Sequence, residues 1–231
     1  MKTNAVTIRR MGVALVKSLL LLASLGSVAV AMNRLGDMSG VTPYALYTGL
    51  ALFGAFLVLL LRSVRAKRDA LWGVVIAILA LSAAGLMLFI DDAVARYLIA
   101  LAASVVLMIG LIGYDKYAHG YKRVGVRSAL FVVHFAAMFF FFTLSYAVHV
   151  NVSVPQWALM LVYFFASFVV SAHSFLLTAP ENPRIALRYG ALTGFFFVQL
   201  AWCIHFWPFG YLTTGAVMLV AFYVAWDLFQ S

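Results

Sequence analysis

Four histidines are the side chains of this sequence best suited to chemistry. His134, His149, His173 and His205 each stand inside a long apolar run, where an ionisable group is costly and is a functional candidate by default. They fall on two levels. His134 is about a turn and a half from the start of one run and His173 a similar distance from the end of the next, so at about 1.5 Å per residue their depths nearly match. His149 and His205 make a second matched level near the opposite ends of their runs. Imidazoles paired across facing helices can ligate a haem or contribute to a copper, iron or zinc site. The fifteen residues from His134 to His149 leave the two roughly 60° apart in azimuth, so one helix face can carry both.

The competing reading is structural: a neutral buried imidazole satisfied by a hydroxyl or carbonyl nearby, with Ser167, Ser171, Ser174 and Tyr146 as partners. No cysteine or carboxylate joins the histidines and no His-Glu-x-x-His element is present, so no cofactor is assigned and no metal site is named. The four histidines are carried forward as candidate cofactor-binding residues. A second concentration of polar and small residues begins at Gly190-x-x-x-Gly194 and continues through Gln199, Trp202, Cys203, His205, Trp207 and Pro208. Glycines four apart let two helices approach closely. Gln199 needs a hydrogen-bond partner, because an unsatisfied amide in hydrocarbon costs free energy; it is either interhelical glue or a lining position in a polar cavity. Trp202, three residues on, shares its face. Asp91-Asp92 followed by Arg96 lacks the further acids that a magnesium-diphosphate site would need, and reads as a solvated turn. The single cysteine, Cys203, cannot form an internal disulfide.

The elements that must position these residues follow from composition. Of 231 residues, 66% are hydrophobic and 10% charged, which is the make-up of an integral membrane chain. At about 20 apolar residues per crossing, the sequence predicts an all-α polytopic bundle, one transmembrane domain over residues 1–231, with about eight spans. These are expected at 12–32, 44–61, 71–90, 97–114, 129–150, 157–178, 189–207 and 211–229. The net charge of +9 is first a topology signal. Lys2, Arg9 and Arg10, then Arg62, Arg65, Lys67 and Arg68, then Lys116, Lys122, Arg123 and Arg127, then Arg184 and Arg188 alternate with connections holding only Arg34 or Arg96. That pattern predicts both termini on the cytoplasmic side of a plasma (cytoplasmic) membrane. Lys17, one or two turns into the first span, is expected to snorkel toward the headgroups. Ala29-Val30-Ala31 resembles a cleavage site, but the apolar stretch before it is long enough to span, and retention is the expectation.

Function is narrowed mainly by subtraction. Asp37, Asp69, Asp91, Asp92, Asp115 and Glu181 lie in connections and Asp227 in the last turn of the final span, which leaves no carboxylate at depth for proton coupling or aspartyl proteolysis. All five prolines fall in or beside connections, so the proline-broken helices common at transporter sites are missing. Basic residues spread over several short loops, interleaved with Tyr114, Tyr117 and Tyr121, suit lipid headgroups and not nucleic acid. Seventeen of 20 phenylalanines follow Arg127, a shift that could mark a half packed around a site or partner. The expectation is a non-enzymatic scaffold, anchor or regulatory membrane component, with membrane lipids and a membrane protein or a second copy as partners. The alternatives are a small-solute or lipid-handling transporter, with Gln199, His134 and His173 lining its cavity, and a haem- or metal-binding redox subunit.

Overall fold

The computed structural model describes residues 2–33, 51, 53–56, 58, 67–120, 124–152, 154–178, 182–204, 206 and 209–230. Its regular structure is entirely helical among these residues. The helices are α1 (Lys2–Asn33), α2 (helical residues 51, 53–56 and 58), α3 (Lys67–Leu86), α4 (Ala93–Ala118), α5 (Val124–Asn151), α6 (Gln156–Thr178), α7 (Pro183–Ile204) and α8 (Tyr211–Gln230). Six helices are long and apolar enough to cross a bilayer: α4 to α8, and α1 through its Gly12–Val30 stretch. The apolar part of α3, Ala70–Leu86, is shorter. Most of the expected span 44–61, the basic residues Arg62 and Arg65, and His205 lie outside the described residues. The eight-span expectation therefore rests, among the described residues, on six long apolar helices and one shorter one.

Several helix ends differ from their expected positions for local reasons. The α3 helix ends at Leu86 instead of 90, where Leu88 N–H donates to the Gly85 carbonyl at 3.0 Å and Phe89 N–H to the Leu86 carbonyl at 3.0 Å, tightening the last turn into 3₁₀-type bonds. Asp92 then caps α4, its carboxylate accepting from Ala95 N–H at 2.8 Å, so α4 starts four residues before the expected 97. Arg96 is buried and its Nε donates to the Ile90 carbonyl at 2.6 Å. The Asp91-Asp92-Arg96 group is thus a helix-linking turn closed by its own side chains. The far end of α4 runs on to Ala118 and stops where His119 bonds back and Gly120 takes a φ of +88°, a left-handed conformation open to glycine. Pro183 is the first residue of α7, where its missing N–H has no intrahelical acceptor to lose.

The chain packs as two compact units, residues 1–66 with 83–133 and residues 67–82 with 134–231. In the first unit, α1 and α4 form the principal helix pair. The buried face of α1 runs through Ala14, Lys17, Ser18, Leu21, Ser24, Leu25 and Ala29, a three-and-four spacing that keeps one stripe inward. Lys17 belongs to that stripe. It is 8% exposed, so its stem is buried along with the apolar residues of the stripe. Buried hydroxyls here bond their own helix: Ser18 to Ala14, Ser24 to Leu21 and Ser104 to Ala100 carbonyls at 2.9, 2.7 and 2.7 Å, the usual solution for serine in an apolar helix.

The second unit is organised by rings. Phe142 of α5 stacks on Phe197 of α7 at 5.0 Å and on Tyr163 of α6 at 5.8 Å, and meets Phe222 of α8 edge-on at 6.4 Å. One side chain therefore gathers four helices, and this is where the late phenylalanine enrichment is spent. Helix α7 packs most extensively on α6, and the reason is Gly190 and Gly194. A Cβ on Gly190 would stand 2.9 Å from Ala172 Cβ and 3.0 Å from the Phe168 carbonyl oxygen; one on Gly194 would stand 2.9 Å from the Phe164 ring and 3.1 Å from its carbonyl oxygen. Gly215 of α8 sits so close to α5 that a Cβ would overlap Thr143 Oγ1. Small-residue contact of this kind replaces the hydrophobic drive that helices lack among lipid tails.

Substitution should separate these glycines. Gly190→Ala forces the α6 backbone to move and is expected to lower stability by about 1–3 kcal/mol. Gly26→Ala on α1, with nothing within 4 Å of the new methyl, should be neutral or raise stability by up to about 1 kcal/mol. Gly215→Ala should be destabilising and partly rescued by Thr143→Ala. Thermal unfolding of the purified variants in one detergent reads all four.

Candidate functional site

The histidine pair expected from depth alone is brought into direct contact. His134, in the third turn of α5, and His173, near the end of α6, are 1% and 0% exposed. His134 Nε2 and His173 Nδ1 are 2.8 Å apart, a hydrogen bond in which one nitrogen carries the proton and the other is bare. The rings lie 15° from parallel with centroids 5.0 Å apart. Trp72 of α3 covers them, its ring 5.5 Å from His173 and 6.0 Å from His134. On the neighbouring position of α6, Ser174 Oγ accepts from Trp226 Nε1 of α8 at 2.7 Å. Trp226 in turn meets Phe135 of α5 edge-on at 5.7 Å. Two adjacent residues of α6 thus bond two different helices, and α3 closes the cluster with an aromatic plate.

The geometry decides what the pair can hold. Metal–nitrogen bonds of about 2 Å place two imidazole nitrogens on opposite sides of a haem iron about 4 Å apart; at 2.8 Å the facing nitrogens are bonded to each other instead. Among the described residues no group of three or more His, Cys, Asp or Glu gathers to complete a metal site.

The other candidates lie elsewhere. His149, fifteen residues along α5 and about 22 Å from His134 at 1.5 Å per residue, packs beside Tyr146 with ring centroids 6.0 Å apart. It lines a cavity of about 20 Å³ with Tyr146, Gln156, Tyr163 and Ile204, room for about one water. His205 is outside the described residues, so the second level is known on the His149 side alone. Gly190 and Gly194 serve the α6–α7 contact. Gln199, Trp202 and Cys203 are all exposed on the outer face of α7, and Gln199 is not among the residues lining the clefts described below.

Those clefts are apolar. One of about 600 Å³ runs between α3, α5 and α6, lined by Val74, Ile78, Phe141, Leu144, Val162 and Phe165 with Ser82 and Ser145 as its polar groups. Another of about 460 Å³ lies between α6 and α7, against Trp157, Met160, Phe164, Phe165, Phe195 and Val198. Sequence reasoning missed Trp72 and Trp226 as partners in the cluster, and no pattern around either residue marks them: each is an aromatic among apolar neighbours until the helices are assembled. Ser174 was visible as a possible partner of the histidines, but it is taken by Trp226.

Comparison of the chain with protein-family models, curated proteins and solved structures finds no match.

The imidazole pair makes a clear stability prediction. His134→Leu and His173→Leu should each cost about 1–3 kcal/mol, because each removes the partner of a buried polar nitrogen. The double substitution should cost less than the two singles added, since it removes both polar groups together. A double-mutant cycle by thermal unfolding in nanodiscs measures the coupling; additive losses would contradict a direct bond.

Proposed function

We propose that this protein is a non-enzymatic membrane component that works by lateral association within the bilayer, as an anchor or scaffold for another membrane-embedded molecule. The observation that carries this reading is the character of its concavities. Two clefts of about 600 and 460 Å³ among the described residues are lined almost wholly by apolar side chains, whereas the cavity at His149 is the size of a single water. A solute pathway would want polar groups converging on a sizeable cavity, and Gln199 points outward instead. A redox reading would want the imidazoles available to a metal, and His134 and His173 are engaged with one another. On this reading the charge alternation of the loops orients both termini to the cytoplasm of a bacterial-type plasma membrane.

The test is purification of the full chain in mild detergent and in nanodiscs cut from native membranes. Expected are assemblies well above the 25.4 kDa of one chain, no Soret absorbance, no stoichiometric metal, and no solute flux when the protein is reconstituted into vesicles. A monomer in native-membrane nanodiscs that also conducts a solute, or carries haem, would overturn the reading.

A further inference from the structure

The exposed face of α7 carries an amide where a bilayer has nothing to offer it. Arg184 and Arg188 open the helix and are exposed, so they mark one membrane boundary. Gln199 lies eleven residues beyond Arg188, about 16 Å along the axis, close to the middle of a hydrocarbon core roughly 30 Å thick. Its side chain is exposed among Phe195, Phe196 and Trp202, themselves 62%, 42% and 52% exposed. The opposite face of α7, with Ala186, Gly190, Thr193, Gly194 and Phe197, is the buried one. A primary amide turned to lipid at this depth is left with a donor and an acceptor to satisfy.

The residues around it form a seam. Leu192, Phe195, Gln199 and Trp202 follow a three-and-four spacing, and at about 100° per residue they fall within about 80° of one another. That is the pattern by which parallel helices cross in a left-handed sense, with a single polar residue in an otherwise apolar seam setting register. The amide also selects the occupant. Two copies of one chain inserted in the same orientation present parallel α7 helices related by a two-fold axis along the membrane normal, and the same patch faces itself. A glutamine is both donor and acceptor, so Gln199 of each copy can give and receive a bond from Gln199 of the other. A chain with no polar residue at that depth would leave the amide unsatisfied. Phe195 belongs both to the seam and to the wall of the α6–α7 cleft, which places an aromatic-lined recess beside the axis.

We infer that the protein self-associates through α7, with Gln199 paired across a two-fold axis in an otherwise apolar seam. This rests on the lateral-association reading and names a second copy as the partner.

Cys203, the chain's single cysteine, is exposed one turn from Gln199 and about 40° from it in azimuth, so it is a native cross-linking probe. The full chain, in vesicles of phosphatidylethanolamine and phosphatidylglycerol, is treated with an oxidant or a short bis-maleimide and in parallel labelled for single-molecule step counting. The wild type should give a covalent dimer and two-step traces. Cys203→Ser should lose the cross-link and keep the two-step traces. Gln199→Leu should reduce both readouts at least about tenfold while its thermal unfolding stays near wild type, because the side chain faces outward, and Gln199→Asn should restore part of the dimer. Dimers that survive Gln199→Leu and never cross-link through Cys203 would overturn this inference and leave lateral association standing through another face. Monomers at every protein density in vesicles, with larger assemblies in native membranes, would assign the α7 seam to a different protein and also overturn it. Monomers in both settings would overturn the inference and the reading beneath it.

Discussion

A polar group inside a bilayer has no water to bond, and this constraint arranges more of the molecule than any single contact. Among the described residues, three ways of meeting it recur: a polar side chain turns back on its own helix, finds a group on another helix, or stays exposed. Ser18, Ser104, Thr143 and Thr193 take the first route, bonding carbonyls one turn back. His134 with His173, and Ser174 with Trp226, take the second, and those bonds connect α5, α6 and α8. Gln199 takes the third.

Aromatic packing works within that frame. The Phe142, Tyr163, Phe197 and Phe222 cluster supplies bulk without polar atoms at its centre, while Gly190, Gly194 and Gly215 let backbones close on it from the side. Rings and glycines are complementary here. A ring fills a wide gap between helix axes, a glycine removes a gap, and alternating them along α7 keeps one face against α6 while the other is left for the membrane. Midway along the outward face, among the exposed rings of Phe195, Phe196 and Trp202, Gln199 puts an amide where an ordinary lipid-facing surface is apolar.

The buried hydroxyls of Ser167, Ser171 and Thr214 have no hydrogen-bond partner in the structure. They are small groups on well-packed faces, and the cost of each is offset by the close approach that a larger apolar residue would prevent. Their presence makes the second unit more polar inside than its hydropathy suggests.

The sequence by itself determined the fold class: helices long and apolar enough to span, bounded by charges and prolines, all legible because helix length and composition are local properties. It also brought His134 and His173 to matching depth, since depth is only a count of residues along an axis. What it could not determine was azimuth. Whether Gln199 turns toward α6 or away from it, whether Lys17 is buried or exposed, and which indole reaches Ser174 depend on how helices distant in sequence rotate about their axes. That rotation is set by glycine contacts and ring packing between helices, and a bilayer, being as apolar as the side chains it faces, does nothing to mark the inward side in advance. The pairing of imidazole with imidazole and the outward turn of an amide were therefore decided by tertiary structure.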